Sequence, residues 1–300
     1  MDAFMGIVEQ GFEAEFGDRY SIKLSSIAGN NGTRIAAVAI FGPNGDTPMR
    51  VLIDDIYRPY SGGTGIREIC RGLALLYDKY EDDICRNKAL LSDYGKAKGR
   101  VFCSLMNARM NAGFLSDSLY IPFHDLAISF YVIPDGMCGI MPVSRRIFDS
   151  WGVDIKTLED RALSNTQKQF GCLVRPMDSM LTEMVPQAYG EESKDWLECF
   201  MECLSDEPQM YSVTNEQLYN GSVSILYPGL LDTFAKRTGS SFYILPSSIN
   251  DVIFVPSKNT DDASEWKQRV RCVNTLMSKE LILSDNVYYY SRENGRLRTM

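Results

Sequence analysis

Hydrophobic positions at the start of the chain first recur at helical spacing and then alternate. Apolar residues three or four positions apart predict an amphipathic helix over residues 2–17. Apolar and polar residues then alternate over 20–24, and a second extended run covers 33–41. The glycine and asparagine residues at 29–32 tolerate the positive φ angles of a tight turn. The pattern therefore predicts a helix followed by a β-hairpin.

The following segments continue this mixture of strand and helix. A strand over 49–54 completes a three-stranded meander, and a helix over 66–80 carries an apolar face that we expect to cover the meander. Further strands are predicted over 101–106 and 125–133, and the second is apolar on both faces, as in a buried strand. An Asp-Gly turn then leads into a return strand over 138–143.

The second half of the chain alternates helical patterns with short apolar runs. Helical spacing recurs at 145–151, 155–163, 177–185, 193–204, 229–238 and 263–277. Short apolar runs predict strands at 211–213, 242–245, 252–255 and 287–291. The segment at 216–226 fits neither pattern clearly.

These elements together predict an α+β fold, with mixed, largely antiparallel sheets packed with helices. They divide into an N-terminal α+β lobe at 1–144 and a C-terminal α+β lobe at 145–300, or they form one continuous domain. The composition is that of a globular protein, because 45% of the residues are hydrophobic and 23% are charged.

The sequence also predicts the cellular location of the protein. No apolar run approaches the roughly 20 residues that cross a bilayer as a helix. Met1 leads into acidic residues rather than into the basic region of a secretory signal. We therefore expect a soluble, cytoplasmic protein without a membrane segment.

Charge and cysteine usage exclude some classes of function. The net charge of −8 disfavours attraction to phosphate backbones, so nucleic acid is not an expected partner. The eight cysteines are scattered, no C-x-x-C motif occurs, and the chain has one histidine. Cys199 and Cys203 lie one helical turn apart and are interpreted as part of an apolar stripe. We expect no metal site and no cofactor.

Several short strings resemble a known family when they are read in order. They are DLAI at 125–128, WGV at 151–153, NT at 165–166, RPM at 175–177, LPSSI at 245–249 and SDNVYYY at 284–290. Together they resemble a bacterial family catalogued only as a domain of unknown function, DUF family 5688, which is common in anaerobic gut Firmicutes. The resemblance covers nearly the whole chain and implies no activity. Relatives often carry a histidine and an acid where this chain has Asn250 and Asp251, so we expect no histidine-dependent role in that segment.

The only histidine, His124, precedes the predicted buried strand and has Asp125 as its neighbour. An acid can orient an imidazole, which makes this pair a candidate for general base catalysis. A lone histidine at a strand entrance is more often a hydrogen-bonded structural residue. The structural interpretation is therefore favoured.

A second candidate lies at Ser247 and Ser248, between two predicted strands, where a hydroxyl could act as a nucleophile or bind phosphate. No G-x-S-x-G motif surrounds them, so a turn that hydrogen-bonds its own backbone is favoured. Arg175 and Asp251 are candidate ligand-binding residues. Convergence of these residues with His124 in one pocket would shift the balance toward an enzyme and justify an activity screen.

Two other motifs are interpreted without a functional role. The glycine-rich segment at 61–65 lacks the lysine of a nucleotide-binding loop and is interpreted as a linker. Asp54 and Asp55 are interpreted as the charged end of a strand, because successive strand residues point to opposite faces.

The absence of a complete catalytic motif favours a non-enzymatic binding or interaction protein, with a protein partner or a small ligand held on a surface or in a cleft between the two halves. The alternative is a hydrolase-like enzyme that uses His124 and Asp125 or the loop of Ser247 and Ser248.

Overall fold

The computed structural model describes residues 2–43, 48–134, 140–189, 209–257 and 262–300. Their strands form three sheets, and every pairing between neighbouring strands is antiparallel. Helices pack on these sheets, so the predicted α+β class is confirmed.

The first sheet and its helices form the N-terminal part of the fold. In chain order the elements are α1 (Asp2–Phe16), β1 (Ser21–Ala28), β2 (Arg34–Phe41), β3 (Met49–Leu52), α2 (Ile53–Ser61) and α3 (Ile66–Leu91). The sheet has the order β1-β2-β3. Helices α1 and α3 bury Phe12 and Tyr77 against Ile40 of the central strand. The predicted helix, hairpin and covering helix are confirmed.

The end of the third strand differs from the prediction. Strand β3 stops at Leu52, and Asp54 and Asp55 lie in the first turn of α2 rather than at a strand end. Negative charge in the first turn of a helix interacts favourably with the exposed amide groups there. Alternating polarity could not reveal this change, because the strand has only four residues.

The second sheet has four strands, with the order β4-β6-β5 and with β7 beside β6. The elements of this region are α4 (Tyr94–Ala97), β4 (Val101–Asn107), α5 (Ala112–Leu115), β5 (Tyr120–Phe123), β6 (Leu126–Val132), β7 (Met141–Pro142), α6 (Arg145–Trp151) and α7 (Ile155–Phe170). Every residue of β6 is buried, which confirms the strand predicted to be apolar on both faces.

The third sheet has six strands, with the order β13-β12-β10-β11-β9-β8. Its strands are β8 (Leu173–Pro176), β9 (Tyr211–Thr214), β10 (Phe242–Leu245), β11 (Val252–Pro256), β12 (Tyr288–Ser291) and β13 (Arg296–Thr299). The helices of this region are α8 (Met177–Tyr189), a 3-10 segment (Gly221–Leu226), α9 (Leu230–Thr238) and α10 (Ala263–Leu276). Strand β8, which the sequence pattern missed, forms one edge of this sheet.

One hydrophobic core joins the second and third sheets. It contains Cys103 and Phe130 from the second sheet and Val213, Phe254 and Tyr288 from the third. Residues from both sides of position 144 therefore share this core. The lobes at 1–144 and 145–300 stay a prediction, and the shared core favours one continuous domain over that boundary.

Within the described ranges, no helix combines the length and the apolar character that a bilayer crossing requires. The predicted helix at 193–204, with Cys199 and Cys203, and the Asp-Gly turn at 135–136 lie outside the described residues.

Candidate functional site

A cleft of about 260 Å³ opens over the β8 edge of the six-stranded sheet. Its floor comes from two paired strands: Leu173 pairs with Thr214, and Arg175 pairs with Ser212. Alternate residues of a strand share a face, so these four side chains lie on the same side of the sheet. Helix α8 and the turn that follows β9 provide the walls.

Three charged side chains line the cleft. Arg175 donates from Nη2 to Oε2 of Glu183 on helix α8. Glu216, in the turn that follows β9, is exposed and forms no ion pair with any residue that the structure describes. One cation and two carboxylates give the lining a net charge of −1. The uncompensated charge lies at Glu216.

The wall that carries Glu216 is a turn organised by a buried asparagine. Asn215 is 1% exposed, and its Oδ1 accepts hydrogen bonds from the backbone amides of Gln217 at 3.1 Å and Tyr219 at 3.3 Å. Its Nδ2 donates to the carbonyl of Tyr219 at 2.7 Å. One side chain therefore holds the backbone of the whole turn.

This turn forces Leu218 into a strained backbone conformation. Leu218 has a φ of 52°, in the left-handed region that costs a branched L-residue about 1–2 kcal/mol. Its side chain is 48% exposed and lines the cleft. Strained backbone that is held by surrounding hydrogen bonds is typical of ligand-binding sites.

Close packing behind the turn fixes it to the sheet. Thr214 Oγ1 donates to the carbonyl of Asn250 at 2.7 Å, and Asn220 N donates to Asn250 Oδ1 at 3.0 Å. Gly221 is buried at this contact. The cleft wall is therefore preformed rather than a free loop.

A second polar cluster surrounds the histidine. His124 is exposed, has a φ of 55°, and its Nδ1 lies 2.9 Å from Thr299 Oγ1. Asp125 accepts hydrogen bonds from Ser284 Oγ and Tyr288 OH, each at 2.6 Å. His124 and Asp125 thus bond different partners. Burial, reinforced by the charge of Asp125, raises the pKa of Tyr288.

We expect Tyr288→Phe to lower the free energy of unfolding by about 2 kcal/mol, because a hydrogen bond to a charged group contributes about 1.5–3 kcal/mol. Tyr288 is fully buried and bonds Asp125 across two sheets. Tyr289→Phe removes the same hydroxyl from a half-buried residue of the same strand and is the control. Urea unfolding of both variants measures the difference, and equal losses would show that the bond to Asp125 contributes nothing specific.

The serine loop bonds largely within itself. Ser248 is 6% exposed, donates from Oγ to Asp251 Oδ1 at 2.5 Å, and accepts from Asn250 N at 3.0 Å. Ser247 N donates to the carbonyl of Leu245 at 2.9 Å. Burial raises the pKa of Asp251 above its ordinary value, and hydrogen bonds from Ser248 and Ser247 partly oppose this shift.

The raised pKa of Asp251 determines how the stability of the folded protein changes with pH. The neutral form is favoured by folding, so this stabilising contribution is present below the unfolded pKa and is lost as the pH rises through the folded pKa. We therefore expect Asp251→Asn to raise the Tm at pH 7, and the gain over the native chain to shrink as the pH falls toward 4.

Asp262 is the control for this prediction, because its pKa is shifted in the opposite direction. Hydrogen bonds from Ser264 lower the pKa of Asp262, which caps α10, so its contribution is present at neutral pH and is lost on acidification. Melting curves of Asp251→Asn and Asp262→Asn between pH 4 and pH 8 compare the two. A lower Tm of Asp251→Asn at pH 7 would contradict the prediction.

The predicted site residues do not share the cleft. Arg175 lines it, whereas His124, Asp125, Ser247, Ser248 and Asp251 are absent from its lining. Their proposed roles stay predictions. Across the described ranges, no group of three or more His, Cys, Asp or Glu side chains could hold a metal ion.

Sequence reasoning missed most of the cleft. Glu216 and Leu218 lie in the segment without a clear pattern, and Leu173 lies on the strand that was not predicted. The Asn220 and Gly221 pair is typical of tight turns and was the available signal for the wall.

Comparison with known proteins gives a family but no activity. Neither the curated proteins nor the solved structures contain a match to this chain. The model of one family, described as "Family of unknown function (DUF5688)", matches residues 1–292. The resemblance indicated by the sequence strings is therefore confirmed. The chain belongs to the DUF5688 family of unknown function.

Proposed function

We propose that this protein is a non-enzymatic, cytoplasmic binding protein that holds a small ligand, or one side chain of a partner, in the cleft over β8 and β9. The observation that carries the proposal is Leu218, which is held at a positive φ with its side chain in the cleft lining. The buried side chain of Asn215 maintains that conformation at an energetic cost.

The size of the cleft limits what it can hold. Its volume of about 260 Å³ lies just below the roughly 300–1,000 Å³ of typical small-molecule sites. The expected occupant is therefore smaller than a drug-sized molecule. A single side chain of a partner protein also fits this volume.

The proposal is tested by filling the cleft. Met180 lies on α8 and lines the cleft, whereas its neighbour Ser179 is exposed and does not. We expect thermal melting with a panel of small cations, anions and neutral compounds to reveal ligands of the native chain. A ligand present at 100 times its Kd adds about 2.7 kcal/mol of stability. Met180→Trp should abolish these shifts, and Ser179→Trp should retain them.

Identical shifts in the native chain and in Met180→Trp would place the binding elsewhere and contradict the proposal. A panel without any shift in the native chain would contradict it equally. Circular dichroism of both tryptophan variants checks that they fold alike before they are compared.

The alternative is a hydrolase-like enzyme that uses His124 and Asp125 or the loop of Ser247 and Ser248. The short bond between the Ser248 hydroxyl and the half-buried carboxylate of Asp251 supports it, because a serine nucleophile needs a base within hydrogen-bond reach. A fluorophosphonate probe tests this alternative. Labelling of the native chain that is lost in Ser248→Ala would favour the enzyme over the binding protein.

A further inference from the structure

We infer that the occupant of the cleft is a primary ammonium or guanidinium group on a short alkyl chain, with the cation bound by Glu216. This inference rests on the proposed function and adds the chemical class of the ligand. Four properties of the described cleft residues support it: the net charge, the existing ion pair, the acceptor character of Glu216, and the apolar side chains of the lining.

The net charge of the cleft favours a cation. Glu183 is already paired with Arg175, whereas Glu216 in the turn after β9 forms no ion pair among the residues that the structure describes. A bound cation would neutralise the excess charge of −1. The chain as a whole carries −8, which adds a long-range attraction for cations.

The pair of Arg175 and Glu183 disfavours an anion. To reach the guanidinium group of Arg175, an anionic ligand has to compete with the carboxylate of Glu183, which already binds it. The same anion would lie in a small cleft that also contains Glu216. Like charges within one small cleft repel each other.

The carboxylate of Glu216 favours a ligand that donates hydrogen bonds. An ionised carboxylate only accepts hydrogen bonds. Thr214, on the cleft floor, is 3% exposed and already donates its hydroxyl proton to the carbonyl of Asn250 at 2.7 Å, so it offers no donor to a ligand. Ammonium and guanidinium groups carry several donors and no acceptor, so they match Glu216.

Apolar side chains surround the charged groups. Leu173, Met180 and Leu218 line the same cleft as Glu216. Lysine and arginine side chains lay their alkyl stems against apolar surface while the charged end finds a polar partner. The mixed lining thus fits an alkyl stem that ends in a cation. The volume of about 260 Å³ limits the ligand to one such group.

The test compares four probes of similar length by calorimetry at low ionic strength. The first two are n-pentylammonium and n-butylguanidinium, which are free cations. The others are pentanoate and pentanol, which are a matched anion and a matched neutral compound. We expect saturable binding of the two cations, and affinity that falls with added salt. Pentanoate should bind at least tenfold more weakly than n-pentylammonium.

Charge removal identifies the binding group. Glu216→Gln should weaken the binding of n-pentylammonium about threefold to fivefold, because the amide keeps the shape of the side chain but lacks its charge, and an ion pair with an exposed carboxylate is weak. Glu9 is exposed on α1 and does not line the cleft, so Glu9→Gln should leave the affinity unchanged. Glu216 is exposed, and an unchanged Tm confirms that the variant folds normally.

Two capped tripeptides, Ac-Gly-Lys-Gly-NH₂ and Ac-Gly-Arg-Gly-NH₂, distinguish the sources of the cation. Tighter binding of a peptide than of the free cation indicates a side chain of a protein partner, and the reverse indicates a free amine or guanidine. Both outcomes support the inference.

Tighter binding of pentanoate, with Glu216→Gln strengthening it, would overturn the inference and leave the proposed binding function intact. Cation binding that Glu216→Gln does not weaken would overturn it as well. If neither these probes nor the wider panel bound in the cleft, the proposed function itself would fail.

Discussion

Asn31→Ala is expected to lower the free energy of unfolding by about 4 kcal/mol, one of the two largest effects that we predict. Asn31 is 1% exposed and connects three parts of the chain. Its Nδ2 donates to the carbonyls of Lys279 and Ile282, each at 2.7 Å. Its Oδ1 accepts from Asn111 Nδ2 at 2.8 Å, and its backbone amide donates to Asn111 Oδ1 at 2.7 Å.

Two physical terms add up in this variant. Alanine leaves buried carbonyl groups without their donor, at about 1–3 kcal/mol for a buried unsatisfied group. It also has to adopt the φ of 57° that Asn31 holds, which asparagine tolerates and alanine does not. The expected fall in Tm is about 8–16 °C.

Asn294→Ala is the matched control for Asn31→Ala. Asn294 is exposed, and its Oδ1 accepts from Arg296 N in another turn. We expect a loss below about 1 kcal/mol there, because water replaces the lost bond. Chemical unfolding measures both variants, and losses of similar size would show that the buried contacts of Asn31 contribute little.

Gly221→Ala is the second variant with a large expected effect, because no space exists for a methyl group. A Cβ at this position would lie 2.4 Å from the carbonyl oxygen of Asn250, 2.4 Å from Thr214 Oγ1 and 2.9 Å from the amide of Asn215. Two of these atoms belong to backbone, so relief requires the turn to move away from the sheet. We expect a loss of about 3 kcal/mol and a fall in Tm of about 6–12 °C.

This variant should also change the cleft, because Thr214 and the turn that starts at Asn215 form part of its lining and wall. Gly72→Ala is the control: Gly72 lies within α3, and an added Cβ meets nothing within 4 Å. Alanine there should raise stability by about 0.5–1 kcal/mol, as is usual within a helix. Thermal melting compares the two, and a loss below 1 kcal/mol for Gly221→Ala would contradict the close packing of the turn.

The fold followed from local patterns to a large extent. Helical spacing predicted the helices at Arg145–Trp151 and Leu230–Thr238, and alternation predicted the first hairpin. Local patterns did not predict the features that depend on tertiary contacts. Leu276 belongs to the apolar pattern of α10 but is 86% exposed. Strand β8 has only four half-buried residues, so no periodicity distinguishes it.

The cleft was less predictable than the fold. Arg175 was a candidate from its motif, but its partner Glu183 and the second acid of the lining, Glu216, become relevant only when β8 pairs with β9. The conformation of Leu218 depends on hydrogen bonds that its neighbours Gln217 and Tyr219 make with the side chain of one buried asparagine, Asn215. Single-sequence patterns do not contain such long-range pairings or strained backbone angles.

The pair of His124 and Asp125 shows that neighbours in the sequence need not be hydrogen-bond partners in the fold. Adjacency in sequence suggested that the acid orients the imidazole, but the backbone turns at His124, where φ is 55°. Asp125 instead bonds Ser284 and Tyr288, about 160 residues away in the chain. The two residues are adjacent in the sequence, but their hydrogen-bond partners lie far away in the chain.

Methyl NMR of Met180 tests the central claim, that the cleft over β8 and β9 is the ligand site, most directly. The chain has 14 methionines, and a Met180→Leu variant assigns the signal of Met180 among them. Compounds that raise the Tm of the native chain are titrated into ¹³C-methyl-methionine protein. We predict a saturable shift of the Met180 signal, with the core residue Met49 unchanged. Stabilising compounds that leave Met180 unmoved while other methionine signals shift would contradict the account.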